Sequence, residues 1–171
     1  MKLVFGIPGT SSLGLVKAVR KNKNMRFIVF RHEENAALAA SAYNKFTGKM
    51  AACLTIVGPG ATNLSTGLYD AKEDGASVIS LNGQVEMQYT GPYGFQEIDQ
   101  DAFFRPVSVY NKTIYDKNAT VLLLTKALKF ALLQKGIAQL SVPNNVQKEL
   151  LNVKYCRKET CITNFHIIPP R

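Results

Sequence analysis

The chain has 171 residues, 46% of them hydrophobic and 19% charged, the balance of a globular protein with enough material for one well-buried core. No run approaches the roughly 20 apolar residues that a membrane-crossing helix requires, and Met1-Lys2 leads straight into patterned sequence, so no secretory leader is expected. The net charge of +9 raises nucleic acid as a partner, but the lysines are scattered singly and the densest cluster, Lys17, Arg20, Lys21 and Lys23, closes a predicted helix where cations have a local electrostatic role; no nucleic-acid partner is expected.

Lys2 to Ile7 reads as a strand broken by Pro8-Gly9. Thr10, Ser11 and Ser12 offer N-caps to a short amphipathic helix through Leu13, Val16 and Val19. A second strand, Arg26 to Phe30, stops at the charged cluster Arg31-His32-Glu33-Glu34, and a helix from Asn35 to Phe46 follows, closed by Gly48. That helix carries alanine at 36, 37, 39, 40 and 42, so another element can approach it closely, which predicts burial in an interface. Met50 to Val57 is a third strand, turned by Gly58-Pro59-Gly60 into a helix over about 61–73. A fourth strand, Ser77 to Leu81, opens into a long loop from Asn82 to Gln100. A fifth runs from Pro106 to Tyr110, a leucine-rich helix from about Thr120 to Gln134, and a sixth strand from Ala138 to Val142.

Alternating strands and helices, with strands nearly uniformly apolar, predict an α/β fold: a mostly parallel sheet of about six strands with helices on both faces. The pattern fails beyond about 150, so residues 1–150 are read as the domain and 151–171 as a tail or the start of a linker. Cys53 lies in an apolar run and reads as a core thiol. Cys156, Cys161 and His166 sit in the polar tail with spacing that makes neither a metal site nor a disulfide framework, and a cytoplasmic location is expected.

A carboxylate where a strand becomes a helix is stabilised by the free N–H groups and positive end of that helix, and chemistry in open parallel sheets gathers at the carboxyl ends of the strands. Glu33 is therefore the candidate functional residue, although acids at a helix start are favourable in any case. Gly6-Ile7-Pro8-Gly9 and Gly58-Pro59-Gly60-Ala61-Thr62-Asn63 each read, taken singly, as structural turns, and the second lacks the lysine of a phosphate-binding loop.

In order along the chain stand Gly6-Ile7-Pro8-Gly9, Arg31-His32-Glu33-Glu34-Asn35-Ala36, Thr47-Gly48-Lys49, Gly58-Pro59-Gly60-Ala61-Thr62-Asn63, Gly67-Leu68-Tyr69-Asp70-Ala71, Asn82-Gly83-Gln84-Val85 and Phe95-Gln96-Glu97. The series resembles the N-terminal, pyrimidine-binding domain of thiamine-diphosphate enzymes of the pyruvate oxidase and acetolactate synthase group, from residue 3 to about 148. The resemblance implies a three-layer thiamine-diphosphate-binding fold. It also implies that Glu33 hydrogen-bonds the aminopyrimidine ring of the cofactor and activates it toward pyruvate or another 2-keto acid. Gly9, Thr10 and Ser11 match the family's turn near the pyrimidine, and Phe95 and Gln96 the pair that borders the substrate. That Phe-Gln pair points to the oxidase or synthase branch; Gly67 to Asp74 looks more like pyruvate oxidase, and Phe104-Arg105-Pro106-Val107 more like acetolactate synthase.

Family members hold the cofactor's diphosphate and Mg2+ on a C-terminal domain marked by Gly-Asp-Gly, which this sequence lacks, and FAD on a central domain that is also missing. The chain is thus expected to contribute only the pyrimidine end of the site, to be inactive alone, and to work against the diphosphate-binding domain of another subunit in a homo-oligomer, a dimer or tetramer. The alternatives are a separate subunit of a split thiamine-diphosphate enzyme and a non-catalytic assembly partner.

Overall fold

A computed structural model describes residues 1–91 and 94–150; the tail 151–171, with Cys156, Cys161 and His166, lies outside the described residues. Six strands, β1 (Leu3–Gly6), β2 (Arg26–Val29), β3 (Ala51–Thr55), β4 (Val78–Gln84), β5 (Ser108–Thr113) and β6 (Ile137–Pro143), form one sheet in the order β2-β1-β3-β4-β6-β5. Every pairing is parallel. Between them lie α1 (Leu13–Lys21), α2 (Glu33–Thr47), α3 (Pro59–Asn63), α4 (Ser65–Glu73), α5 (Gln100–Phe104), α6 (Thr120–Leu133) and α7 (Asn144–Lys148).

Two apolar cores, one on each face of the sheet, make the three layers. One packs Phe5, Ala51, Cys53, Val78 and Ile137 beneath α2, α4 and α5, with Phe104 fully buried within it. The other packs Val4, Leu54, Ile79, Leu140 and Val142 beneath α1, α6 and α7. Cys53 is a fully buried free thiol in the first core, and burial pushes it up to about 12. Among the described residues no helix is long and apolar enough to cross a membrane.

The strands are not uniformly apolar, as their composition suggested. On β4 the residues facing α2 and α5 are Val78, Ser80, Asn82 and Gln84; on β6 they are Ile137, Gln139 and Ser141. This face is apolar where the strands begin and polar where they end, while the opposite face stays apolar throughout. Buried polar groups are tolerated only with partners, and several are paired along their own strands: Ser80 donates to Asn82 Oδ1 at 2.9 Å, and Gln139 to Ser141 Oγ at 2.7 Å. The polar gradient points toward the carboxyl edge of the sheet.

The alanines of α2 serve a contact within the chain. Ala36, Ala37 and Ala40 are fully buried, and Gly67 of α4 lies so close that a Cβ there would sit 2.6 Å from Ala37 Cβ. Across the same pair of helices, Ser41 donates to Asp70 Oδ2 at 2.6 Å and Lys45 at 3.0 Å. Other boundaries shift by a turn or less. The helix after β2 starts at Glu33 rather than Asn35, the helix after β3 starts at Pro59 and is interrupted at Leu64, and β5 lies later than expected, at 108–113. β4 continues to Gln84, so the long loop begins at Val85, and α7 follows β6 directly.

Candidate functional site

The strand order places β1 between β2 and β3, so the chain leaves β1 toward one side of the sheet and leaves β3 toward the other. A crevice opens where successive connections diverge in this way. Its walls are the turn after β1, Gly9 to Ser12, and the turn after β3, Gly58 to Gly60. The two walls are tied together: the Val57 N–H donates to Ser11 Oγ at 3.0 Å. Ser11 and Ser12 do not cap α1 through their side chains, as the sequence suggested. Ser12 Oγ instead bonds the carbonyl of Gly9 at 3.2 Å, and so closes the turn on itself.

Glu33 is the first residue of α2, with His32 as N-cap in extended backbone, its Nδ1 accepting from the Glu34 N–H at 3.3 Å. The helix start places the Glu33 carboxylate at the positive end of α2. It is 8% exposed, and both oxygens have donors: Thr55 Oγ1 lies 3.5 Å from Oε1, and Asn63 Nδ2 donates to Oε2 at 3.1 Å. Gly60 closes the site from above, since a Cβ there would fall 2.5 Å from Thr55 Oγ1 and 3.2 Å from Glu33 Oε1. Thr55 and Asn63 were not assigned roles from the sequence. The signal for Thr55 is its parity in β3, which turns it to the face that α2 covers; the signal for Asn63 is its place one helical turn beyond Pro59, at the end of α3.

Next to the Gly58-Pro59-Gly60 turn is a concavity of about 370 Å³, lined among others by Thr10, Ser11, Val57, Val85, Phe95 and Gln96. The structure therefore brings the turn residues and the Phe-Gln pair together, with Gly9 one residue before that lining. Glu33 is not on the lining; the Gly58–Gly60 turn touches Gln96 of the lining at Gly58 and Glu33 at Gly60. Gly58 has φ of +63°, which glycine adopts without strain, and the carbonyl oxygen of Gln96 rests where a Cβ would be, 2.1 Å away. Phe95 is 86% exposed.

A family model described as the N-terminal TPP binding domain of thiamine pyrophosphate enzymes matches residues 1–103. A putative thiamine pyrophosphate-containing protein, YdaP of Bacillus subtilis, is 44% identical over 147 residues, 85% of this chain and 26% of that protein. An acetolactate synthase of B. subtilis is 37% identical over 90% of this chain and 27% of its own length. A pyruvate oxidase of Lactiplantibacillus plantarum is 34% identical over 82% of this chain and 23% of its own. The chain thus spans about a quarter of the length of these relatives. Glu33 and the turns after β1 and β3 all fall within the matched region, at the carboxyl edge of the sheet. The chain belongs to the family of N-terminal thiamine pyrophosphate-binding domains of thiamine pyrophosphate enzymes.

Proposed function

We propose that residues 1–150 are the pyrimidine-binding domain of a cytoplasmic thiamine-diphosphate enzyme acting on pyruvate or a related 2-keto acid, of the pyruvate oxidase or acetolactate synthase kind. Residues 151–171 would then lead toward a central domain. The observation that carries this reading is the Glu33 carboxylate, nine-tenths buried at a helix N-terminus and held from two sides by Thr55 and Asn63. A carboxyl group fixed in this way can exchange a proton with a ring nitrogen placed against it. Gly9, Thr10 and Ser11 form the adjoining wall, and Phe95 and Gln96 face the keto acid.

The residues present fit the pyrimidine end of the cofactor. When bound, thiamine diphosphate supplies an electron sink for cleavage at the keto carbon. Among the described residues no three His, Cys, Asp or Glu side chains gather as metal ligands. In this reading Mg2+ and the diphosphate are held by the diphosphate-binding domain of another subunit in a homo-oligomer, and FAD, if used, by a further domain.

Replacing Glu33 by Gln in the complete assembly abolishes turnover and leaves the fold intact, because the glutamine carbonyl still accepts from Asn63 while the exchangeable carboxyl proton is gone. Turnover near wild type would remove the role given to Glu33. A calorimetric titration of this chain with thiamine diphosphate and Mg2+ gives negligible heat if the chain is a half-site. Tight, magnesium-dependent binding would place the diphosphate site on this chain instead.

A further inference from the structure

The loop between β4 and α5 carries Phe95 and Gln96, and its two ends are tied to each other by a reciprocal pair of glutamines. Gln84, the last residue of β4, donates its Nε2–H to the carbonyl of Ile98 at 3.1 Å, across the mouth of the loop. Gln100, the first residue of α5, donates back to the carbonyl of Gly83 at 2.9 Å. Both side chains are buried, 3% and 1% exposed. Gln84 Oε1 is satisfied by the N–H of Val85 at 2.9 Å, whereas Gln100 Oε1 has no hydrogen-bond partner among the described residues. A buried amide oxygen without a partner opposes folding. An apolar side chain of the same shape would avoid that, so what Gln100 contributes is its donor bond.

The loop holds a strained backbone. Gln96 has φ of +64°, a left-handed conformation that a residue with a side chain enters only when its surroundings impose it, and its carbonyl is seated on Gly58. We infer that Gln84 and Gln100 are positioning residues, which pin both ends of the loop and so hold Phe95 and Gln96 as a fixed wall of the cavity beside the Gly58 turn. What that wall borders, the 2-keto acid, rests on the function proposed above; the clasp itself does not.

The test uses the full chain and needs neither cofactor nor substrate. Gln100→Met and Gln84→Met, singly and together, are compared with the parent in chymotrypsin cleavage after Phe95, followed by mass spectrometry. Cleavage after Phe5, buried in β1 between β2 and β3, reports global unfolding. Gln100→Met cuts after Phe95 about tenfold faster, the population change expected from losing one buried hydrogen bond. Cleavage after Phe5 is unchanged, and the double variant is cut after Phe95 faster than either single one. An unchanged rate after Phe95 in both single variants overturns the inference. So does an acceleration matched at Phe5, which would mean that the glutamines only support the domain as a whole. Either failure leaves the role of Glu33 standing, and full turnover of Glu33→Gln would leave the clasp standing.

Discussion

The contact between α2 and α4 gives a prediction whose sign separates packing from helix propensity. At Gly67 an added Cβ would lie 2.6 Å from Ala37 Cβ, 2.7 Å from the Leu38 nitrogen and 2.8 Å from the Glu34 carbonyl oxygen. Comfortable separations are about 3.5–4.0 Å, and two of the three atoms are backbone, which cannot swing aside. The helices must therefore move apart. Overpacking of this kind costs about 1–3 kcal/mol, and a backbone clash belongs at the upper end. Propensity acts the other way, since alanine in a helix interior is better than glycine by roughly 1 kcal/mol. The net loss for Gly67→Ala is then about 2 kcal/mol, a fall in Tm of about 4–8 °C for a chain of this size. Urea and thermal unfolding followed by circular dichroism read this directly. A variant as stable as the parent, or more so, would refute the close approach of the two helices. The same movement reaches the site: α2 carries Glu33 on its first turn, Asn63 stands two residues before α4, and their 3.1 Å bond spans the gap being forced open.

Two further outcomes follow from the same layer of helices. The hydroxyl of fully buried Ser41, and after it the Lys45 ammonium, hold the Asp70 carboxyl below the usual carboxylate range, so Ser41→Ala lowers stability by about 1 kcal/mol, the modest value expected because Asp70 is partly solvated. Because the native value is depressed, that contribution is complete above the ordinary carboxylate pKa of about 4 and is lost as the pH falls through the lower native value; urea midpoints at neutral and acid pH should show the gap between variant and parent closing on acidification, and a gap that widens would refute the assignment. Cys53, fully buried with its thiol pushed up to about 12, should resist alkylation in the native chain at pH 8 and react only as fast as the domain unfolds, so rapid labelling without denaturant would contradict its place in the core.

Much of the architecture was legible because its signals are local. Most of the strands start from an apolar run, β5 with the sequence SVYNKT being the exception, and Gly48 in a left-handed conformation stops α2 where the sequence places it. Glu33 was legible for the same reason: a carboxylate at a strand-to-helix junction is stabilised by a helix end that the sequence already announces. The polar alternation of β4 and β6 was also present in Ser80, Asn82, Gln139 and Ser141. It runs against the expectation that a parallel strand covered on both faces is apolar on both.

The residues that act through a distant partner were not legible. Asn63 ends the Gly58-Pro59-Gly60-Ala61-Thr62-Asn63 motif, but nothing in the sequence says that its amide meets a carboxylate 30 residues earlier. Gln84 and Gln100 look like ordinary loop residues until folding brings each to the other's end of the loop, and the strained backbone of Gln96 becomes visible only against Gly58. The alanines of α2 predict burial in an interface, and three of them are enclosed within this chain because Gly67 lets α4 approach. Local chemistry thus determined which segments are strands, which are helices, and where the carboxylate stands, since propensity, capping and apolar period act within a few residues. The order of the strands, the donors that orient Glu33 and the clasp that shapes the cavity wall were decided only by the tertiary structure. Hydrogen bonds and close packing between residues far apart in the chain have no signature in the sequence near either partner.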